Sequence, residues 1–243
     1  MARVILRKRF GDEVLLKFHA PEISGLARPG NFVLIRCDGF TLRRPLSIYD
    51  ADEEGIWVLF RIVGRGTRFL SDADEAEVYG PFGNAFDVRG DNVLLIAGGV
   101  GKAPLHFLAK RLSGKKITFL IGERRASPFP DDIDFLPITE DGSRGRRGLV
   151  TDYVDEYISD AQDIFLSGPV SMYREARKKI HGKRAFITLE GVMGCGIGAC
   201  YSCSVRTKRG IKRICKDGPS FELRDINLDD IYEPLPLFRK PSL

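Results

Sequence analysis

The sequence predicts an α/β protein with an additional β-barrel, arranged in three segments at 1–90, 91–190 and 191–243. The first segment consists of short β-rich runs with polar turns, and the second alternates apolar strands with helical patterns. The third carries four of the five cysteines and shows little regular pattern. We therefore predict an N-terminal antiparallel β-barrel, a central parallel α/β domain and a C-terminal cysteine-rich domain.

Short apolar runs predict the strands of the barrel, at 4–6, 14–18, 32–35 and 56–60. Turn-forming stretches such as ARPG at 27–30 and DEEG at 52–55 separate them. Regular short strands of this kind are typical of a small antiparallel barrel. The stretch GPFGN at 80–84 predicts the loop that leaves it.

The second segment begins with the apolar run NVLLIA at 92–97, which predicts a buried parallel strand. The loop GGVG and a helical pattern over 103–112 follow. Further strands are predicted at 117–121 and 164–166, and a second helix at 172–180. Strands that alternate with helices in this way favour a parallel sheet.

The cysteines of the third segment follow a C-x4-C-x2-C-x11-C pattern, formed by Cys195, Cys200, Cys203 and Cys215. A C-x4-C-x2-C core with a distal fourth cysteine is the plant-type spacing for a [2Fe–2S] cluster. A structural zinc site is the alternative, but zinc sites favour two separated C-x2-C pairs or added histidines. This loop contains no histidine, so we predict a [2Fe–2S] cluster held by the four thiolates.

Several glycine-rich or basic stretches are candidates for binding phosphate groups. GGVG at 98–101 opens a helix and SGP at 167–169 follows a strand, at positions where open α/β sheets bind ligands. RRPLS at 43–47 combines arginines with a hydroxyl, and Arg61 precedes GRGT at 64–67. Taken alone, each stretch is also compatible with an ordinary turn.

Composition narrows the possible functions. The net charge of +5 is spread among interspersed charges without a basic stripe, which disfavours nucleic-acid binding. The apolar runs are shorter than the ~18–20 residues that span a bilayer, so we expect a cytoplasmic protein with no membrane partner. His19, His106 and His181 fit no metal spacing and are interpreted as structural or surface residues, and Cys37 as an inert buried thiol. No set of catalytic side chains is evident, as expected where cofactors carry the chemistry.

The order of these motifs resembles the ferredoxin–NADP reductase superfamily and, within it, the electron-transfer subunits of dihydroorotate dehydrogenase B. The resemblance covers essentially the whole chain, and LRRPLSI, RIVGRGT, GPFGNAF and EGVMGCGIGACYSC are its most specific stretches. It implies that electrons pass between NAD(H), an FAD in the barrel and a [2Fe–2S] cluster. It also implies a partner, the FMN-containing dihydroorotate dehydrogenase catalytic subunit, in a heterotetramer that serves pyrimidine biosynthesis.

The resemblance also implies particular binding residues. The FAD contacts are Arg44, Pro45, Leu46, Ser47, Leu59, Phe60, Arg61, Gly66 and Thr67, and the nucleotide contacts are Gly98, Gly99, Gly101, Gly168 and Pro169. Relatives often have cysteine where this chain has Ser167, which leaves open how the nicotinamide is positioned. Glu123 is a candidate for a ribose hydroxyl, whereas Arg124, Arg125 and the loop 144–147 are candidates for a 2′-phosphate. The resemblance favours NAD.

Two alternative functions remain open from the sequence. The first is the small subunit of a ferredoxin–NADP transhydrogenase or sulfide dehydrogenase, which shares all three cofactor sites. The second is a non-enzymatic redox-sensing module. The RRPLS motif with all-cysteine ligation favours the dihydroorotate branch, and the intact flavin motifs disfavour a sensor.

Overall fold

Two seven-stranded sheets and one β-hairpin make up the computed structural model, which describes residues 1–231. The proline-containing end of the cysteine segment, 232–243, lies outside the described residues. Within the described part, no helix is long and apolar enough to cross a membrane.

The first sheet is the predicted barrel. Its elements are β1 (Ala2–Phe10), β2 (Glu13–His19), α1 (Pro21–Ser24), β3 (Phe32–Ile35), β4 (Arg44–Ala51), β5 (Gly55–Arg61), α2 (Arg65–Asp72), β6 (Glu75–Ala76) and β7 (Val78–Phe82). The strands pair in the order β6-β1-β2-β5-β4-β3-β7, and each pairing is antiparallel. Only Glu77 separates the two edge strands β6 and β7, so the sheet curls until its edges meet and the barrel nearly closes.

The second segment forms the predicted α/β domain. Its elements are β8 (Asn92–Gly98), α3 (Lys102–Arg111), β9 (Lys116–Glu123), β10 (Leu136–Thr139), β11 (Arg146–Arg147), β12 (Asp163–Ser167), α4 (Val170–Lys179) and β13 (Arg184–Thr188), with 3₁₀ turns at Gly99–Gly101 and Val150–Glu156. These strands pair in parallel in the order β11-β10-β9-β8-β12-β13. The fold class expected from the sequence is therefore confirmed, and α3 lies within one residue of its predicted bounds.

The cysteine segment is more regular than its sequence suggested. It contains β14 (Ser204–Thr207), β15 (Gly210–Arg213), α5 (Ile214–Asp217), β16 (Ser220–Glu222) and a 3₁₀ turn at Leu223–Asp225. β14 and β15 form a hairpin, and β16 pairs antiparallel with β13, which adds a seventh strand to the α/β sheet. Strands of three or four residues carry too little periodicity to be recognised before their pairing partner is known.

The three segments share one buried cluster of side chains. Leu34 from the barrel, Ile187 from the α/β sheet and Ile214 and Leu223 from the cysteine segment all belong to it. The boundaries at 90 and 190 stay predictions, because this cluster continues across both of them.

Candidate functional site

The four cysteines form two pairs: Cys195, Cys200 and Cys203 lie in the loop before β14, and Cys215 lies in α5. The amide of Cys200 donates to Cys195 Sγ at 3.4 Å, and the amide of Cys215 donates to Cys203 Sγ at 3.5 Å. Within residues 1–231, no three Cys, His, Asp or Glu side chains surround a point that could hold a single metal ion. Two pairs of thiols, each with an N–H donor, are a ligand set that fits an iron–sulfur cluster.

The outer pair of thiols favours the thiolate form. The side chain of Ser202 lowers the pKa of Cys200 to about 6, and the backbone amide of Cys200 lowers the pKa of Cys195. Burial raises the pKa of Cys215 to about 12. The exposed Cys200 and the half-buried Cys195 therefore favour the thiolate that binds iron, whereas the buried Cys215 must lose a proton when a cluster binds.

The RRPLS stretch begins β4, and neighbouring side chains alternate across the strand. Leu46 packs against the barrel core, so Pro45 and Ser47 face outward. Arg44 lies over the ring of Phe40 at 4.6 Å. The implied flavin contacts of this strand are therefore on its outer face or at its start.

Arg44 meets the second flavin motif at the beginning of α2. A Cβ on Gly66 would overlap the Arg44 guanidinium, so only glycine permits this approach. Thr67 Oγ1 accepts hydrogen bonds from the amides of Val63 and Gly64 at 3.0 and 3.1 Å and shapes the turn. An arginine beside a helix N-terminus is suited to bind an anion such as the FAD pyrophosphate.

A buried donor without a partner supports that fit. Within the part of the chain that the structure describes, Arg43 Nε is buried and has no hydrogen-bond partner, although the guanidinium stacks on Tyr79 at 4.2 Å. A bound group with acceptor oxygens beside β4 would satisfy this donor.

The motif residues of β5 divide between the two faces of the strand. Phe60 lies in the barrel core, whereas Leu59 packs outward beside Ala103 at the start of α3. The side chain of Arg61 is 39% exposed, and its guanidinium lies 3.6 Å from an ideal Cβ on Gly99. Of the three, only Arg61 presents a polar side chain to the nucleotide loop.

The two loops of the α/β domain lie against each other at the carboxyl ends of adjacent strands β8 and β12. A Cβ on Gly101 would overlap the carbonyl oxygen of Ser167, and a Cβ on Gly98 would lie 2.8 Å from Pro169 Cδ. The amide of Gly168 donates to the hydroxyl of Tyr173 at 2.8 Å. The structure therefore brings together the glycines that the sequence placed about 70 residues apart.

Two buried hydroxyls at the same edge of the sheet were missed by the sequence analysis. Thr188 ends β13 opposite Ser167 and opposite Ser220 of β16. Within residues 1–231, Thr188 Oγ1 and Ser220 Oγ are buried without a hydrogen-bond partner. The sequence feature that could have revealed Thr188 is that the strands DIFLS and RAFIT both end in a hydroxyl residue.

A buried ionic cluster between the barrel and the α/β domain was also missed. Lys102 Nζ contacts Glu13 Oε2 at 2.9 Å and Ser127 Oγ at 3.1 Å, and it also binds Glu123. Glu123 accepts from the amide of Ser127 as well, at 3.2 Å. The carboxylate expected to hold a ribose hydroxyl is thus buried in an ion pair.

The two carboxyl groups of this cluster differ in their electrostatics. Burial raises the pKa of Glu123. Burial also acts on Glu13, but the charge and hydrogen bond of Lys102 outweigh it and lower the pKa of Glu13. Glu13 is therefore the more firmly ionised partner of Lys102.

The barrel contacts both of the other sites. Arg61 at the end of β5 reaches the nucleotide loop at Gly99, as described above. On β3, Leu34 lies against the cysteine loop so closely that a Cβ on Gly196 would overlap its Cδ1. The amide of Asn84 donates to the carbonyl of Gly218 at 2.7 Å, which adds a second barrel contact with the cysteine segment. In the sheet β4 lies between β5, which reaches the nucleotide loop, and β3, which contacts the cysteine loop.

A barrel and a parallel sheet joined in this way, with an adjoining cysteine loop, define an iron–sulfur reductase with the ferredoxin–NADP reductase fold. The model for the iron-sulfur cluster binding domain of dihydroorotate dehydrogenase B matches residues 190–227. A dihydroorotate dehydrogenase B (NAD(+)) electron transfer subunit of Caldanaerobacter subterraneus is 38% identical, over 93% of this chain and 97% of that one. The corresponding subunit of Clostridium acetobutylicum is 39% identical, over 84% and 87%.

A solved structure is similar over nearly the whole chain. It comes from an NADH-dependent reduced ferredoxin-NADP oxidoreductase, with a TM-score of 0.86 and 30% identity over 94% of this chain and 90% of that one. The chain belongs to the family of dihydroorotate dehydrogenase B electron-transfer subunits.

Proposed function

We propose that this chain passes electrons between NAD(H), FAD, a [2Fe–2S] cluster and the FMN of a dihydroorotate dehydrogenase catalytic subunit, in pyrimidine biosynthesis. The observation that carries the proposal is the position of the barrel, whose β5 contacts the nucleotide loop and whose β3 contacts the cysteine loop. This arrangement suits a flavin that exchanges a hydride with the nucleotide and single electrons with the cluster.

The residues of the barrel hold and orient the FAD. Arg44, with the N-terminus of α2 at Gly66 and Thr67, binds the pyrophosphate, and the outward face of β4 at Pro45 and Ser47 contacts the isoalloxazine. Leu59 and Phe60 are each only 3% exposed, so they support the position of Arg61 at the end of β5. Leu46 supports the strand from inside the barrel.

The nucleotide binds across the two glycine loops. Gly98, Gly99 and Gly101 leave room for the pyrophosphate at the start of α3, and Gly168 and Pro169 border the nicotinamide. Arg61 faces this loop and offers a cation to a phosphate. We propose NAD(H), in agreement with the NAD(+) printed in the relatives' names.

The cysteine loop faces the partner subunit. Large apolar side chains that are more than half exposed surround it: Val192, Ile197, Tyr201 and Ile211. Exposed apolar groups with a charged rim mark protein contacts, and the rim here is basic at Arg206, Lys208, Arg209, Lys212 and Lys216. We propose that the catalytic subunit covers this surface through a complementary acidic patch and that two of each chain form a heterotetramer.

The experiment is anaerobic co-purification with a dihydroorotate dehydrogenase catalytic subunit, followed by assay of dihydroorotate-dependent NAD⁺ reduction. We expect the complex to catalyse it and this chain alone to reduce only an artificial acceptor with NADH. A complex that forms without this activity, or a chain that contains zinc and lacks iron and FAD, would contradict the proposal. A strong preference for NADPH at low concentration would contradict the choice of NAD(H).

A second candidate is a small subunit of a ferredoxin–NADP transhydrogenase type. The 30% identity and 0.86 TM-score to the NADH-dependent reduced ferredoxin-NADP oxidoreductase favour it. The same co-purification separates the two candidates, since a transhydrogenase subunit would not bind the dihydroorotate enzyme.

A further inference from the structure

Helix α3 directs three basic side chains towards the barrel. Lys102, His106 and Lys110 are spaced four residues apart, which places them on one face of the helix. The side chains of Lys102 and His106 are fully buried, and that of Lys110 is one-third exposed. This face lies between the barrel and the connection that follows β9.

Each of the three side chains bridges the barrel to the nucleotide domain. Lys102 joins Glu13 of β2 to Glu123 of β9, His106 joins the Tyr49 carbonyl of β4 to Asp132, and Lys110 joins Asp50 of β4 to Asp132. We call Lys102, His106 and Lys110 the α3 ladder. Each of the three side chains has partners on both sides, so all three cross the interface between the barrel and the α/β domain.

The hydrogen bonds of His106 determine its protonation. Nδ1 lies 2.9 Å from the Tyr49 carbonyl oxygen, which can only accept. Nε2 lies 2.6 Å from Asp132 Oδ1, while Lys110 binds the other oxygen at 2.8 Å. An ionised carboxylate also only accepts, so both ring nitrogens must donate and the ring is an imidazolium. The Tyr49 ring stacks on it at 3.8 Å with planes 6° apart, which favours a cation.

The surroundings of His106 supply further charges of both signs. The positive groups are Lys102 and Lys110 on α3 and Lys8 on β1. The acidic groups are Asp50 on β4 and Asp131 and Asp132 in the connection after β9, with the hydroxyl of Tyr49 nearby. Lys8 pairs with Asp131 at 3.0 Å. Burial would raise the pKa of Asp132, but hydrogen bonds from Lys110 and His106 outweigh it and keep this carboxylate ionised.

We propose that the α3 ladder positions the flavin barrel and the nucleotide domain relative to each other, with His106 acting as a buried imidazolium. The proposal rests on the proposed function, because the angle between the domains matters only if a nucleotide and a flavin react across this interface. Hydride transfer needs reacting atoms about 3–3.5 Å apart, so a small rotation of either domain slows it without abolishing the binding of either cofactor.

The first test measures protonation directly in the intact, FAD-loaded chain. The chain contains only three histidines, and the variant His106→Gln assigns the two ring-nitrogen signals of His106 in imidazole ¹⁵N–¹H spectra. The exposed His19 and His181 provide internal controls. We expect both ring nitrogens of His106 to carry protons, because both face acceptors. A neutral tautomer at His106 would overturn the imidazolium assignment.

The second test measures positioning with His106→Leu and with the exposed control His181→Leu. For His106→Leu we expect unchanged FAD content and nucleotide KM, an at least about tenfold slower single-turnover flavin reduction by NADH, and faster amide exchange in α3 and β4. If His106→Leu fails to fold, Lys110→Met at the outer rung serves with the same readouts. Unchanged reduction and exchange in the folded variant would overturn the positioning role.

These measurements distinguish a failure of the proposed function from a failure of the positioning role of the α3 ladder. If the wild-type flavin is not reduced by NADH, the proposed function fails. The imidazole spectra and the amide exchange still decide whether the α3 ladder joins the domains.

Discussion

Replacing Lys102 by methionine removes the only fully buried positive charge between Glu13 and Glu123. The side chain of Lys102 is 0% exposed, and those of the two carboxylates are 6% and 7% exposed. Removing one partner of a buried ion pair costs about 3–5 kcal/mol, because the remaining charge is left without compensation. Arg61 lies 3.4 Å from Glu13 but is 39% exposed, so it cannot replace the buried lysine.

A surface pair provides the matched control for Lys102→Met. Lys178 and Glu175 lie 2.8 Å apart with side chains 68% and 54% exposed. Exposed pairs contribute about 0–1 kcal/mol, so Lys178→Met should change the free energy of unfolding by less than that. Urea unfolding of the cofactor-loaded protein, followed by far-ultraviolet circular dichroism at pH 7.5, measures both variants.

The loss should also depend on pH. Without Lys102, burial is opposed only by Ser127 and, at Glu13, by the half-exposed Arg61, so we expect the pKa values of both carboxyls in the folded state to lie above the unfolded value. Such groups cost stability as pH rises from the unfolded pKa through the folded pKa. The loss should therefore be largest at neutral pH and shrink towards about pH 4. Adding Glu13→Gln and Glu123→Gln to Lys102→Met should recover most of it.

Two results would refute this reasoning. One is a loss for Lys102→Met no greater than that for Lys178→Met. The other is a loss that stays constant between neutral pH and about pH 4–5.

Three further predictions concern the cofactor sites. Gly101→Ala should lower the free energy of unfolding by about 1–3 kcal/mol and slow NADH oxidation, as measured in thermal and kinetic assays. The control Gly25→Ala should change neither, because its Cβ would lie at an ordinary 3.5 Å from the Pro21 carbonyl oxygen. Arg44→Gln should weaken FAD retention about tenfold or more through loss of a charge-assisted contact, measured as flavin per chain after gel filtration; full retention would exclude a phosphate role. Cys203→Ser should lose iron while Cys37→Ser keeps it, as determined by iron analysis; equal iron in both would remove Cys203 from the ligand set.

Much of the fold could be predicted because its strands and helices carry local signals. The run at 93–97 is apolar throughout because each face of β8 packs in a buried cluster, and α3 follows after one 3₁₀ turn. By contrast, α2 was not predicted, and GRGT at 64–67 was interpreted only as a phosphate-binding stretch or an ordinary turn, because RGTRFLSD has two apolar residues and a glycine near its start. β16 escaped prediction because it becomes a strand only by pairing with β13.

The candidate site was also predicted in part. The cysteine spacing and the glycine loops were visible because they require particular residues at short separations. Glu123 was a candidate for holding a ribose hydroxyl, but the structure buries it against Lys102. The sequence does not show whether a carboxylate at the end of a strand faces solvent or a buried lysine. His106 was interpreted as a structural or surface residue, and its place between the barrel and Asp132 could not be deduced, because its two acceptors are distant in the sequence.

The sequence by itself predicted the four cysteines as cluster ligands, the glycine loops and the order of barrel, α/β sheet and cysteine segment, because each depends on residues close together in the chain. Only the tertiary structure decided how Lys102 is neutralised, since Glu13 lies 89 residues away. It alone also decided that the barrel lies between the nucleotide loop and the cysteine loop. Burial and charge pairing depend on which distant segments come into contact, and the packing of the three segments against one another determines those contacts.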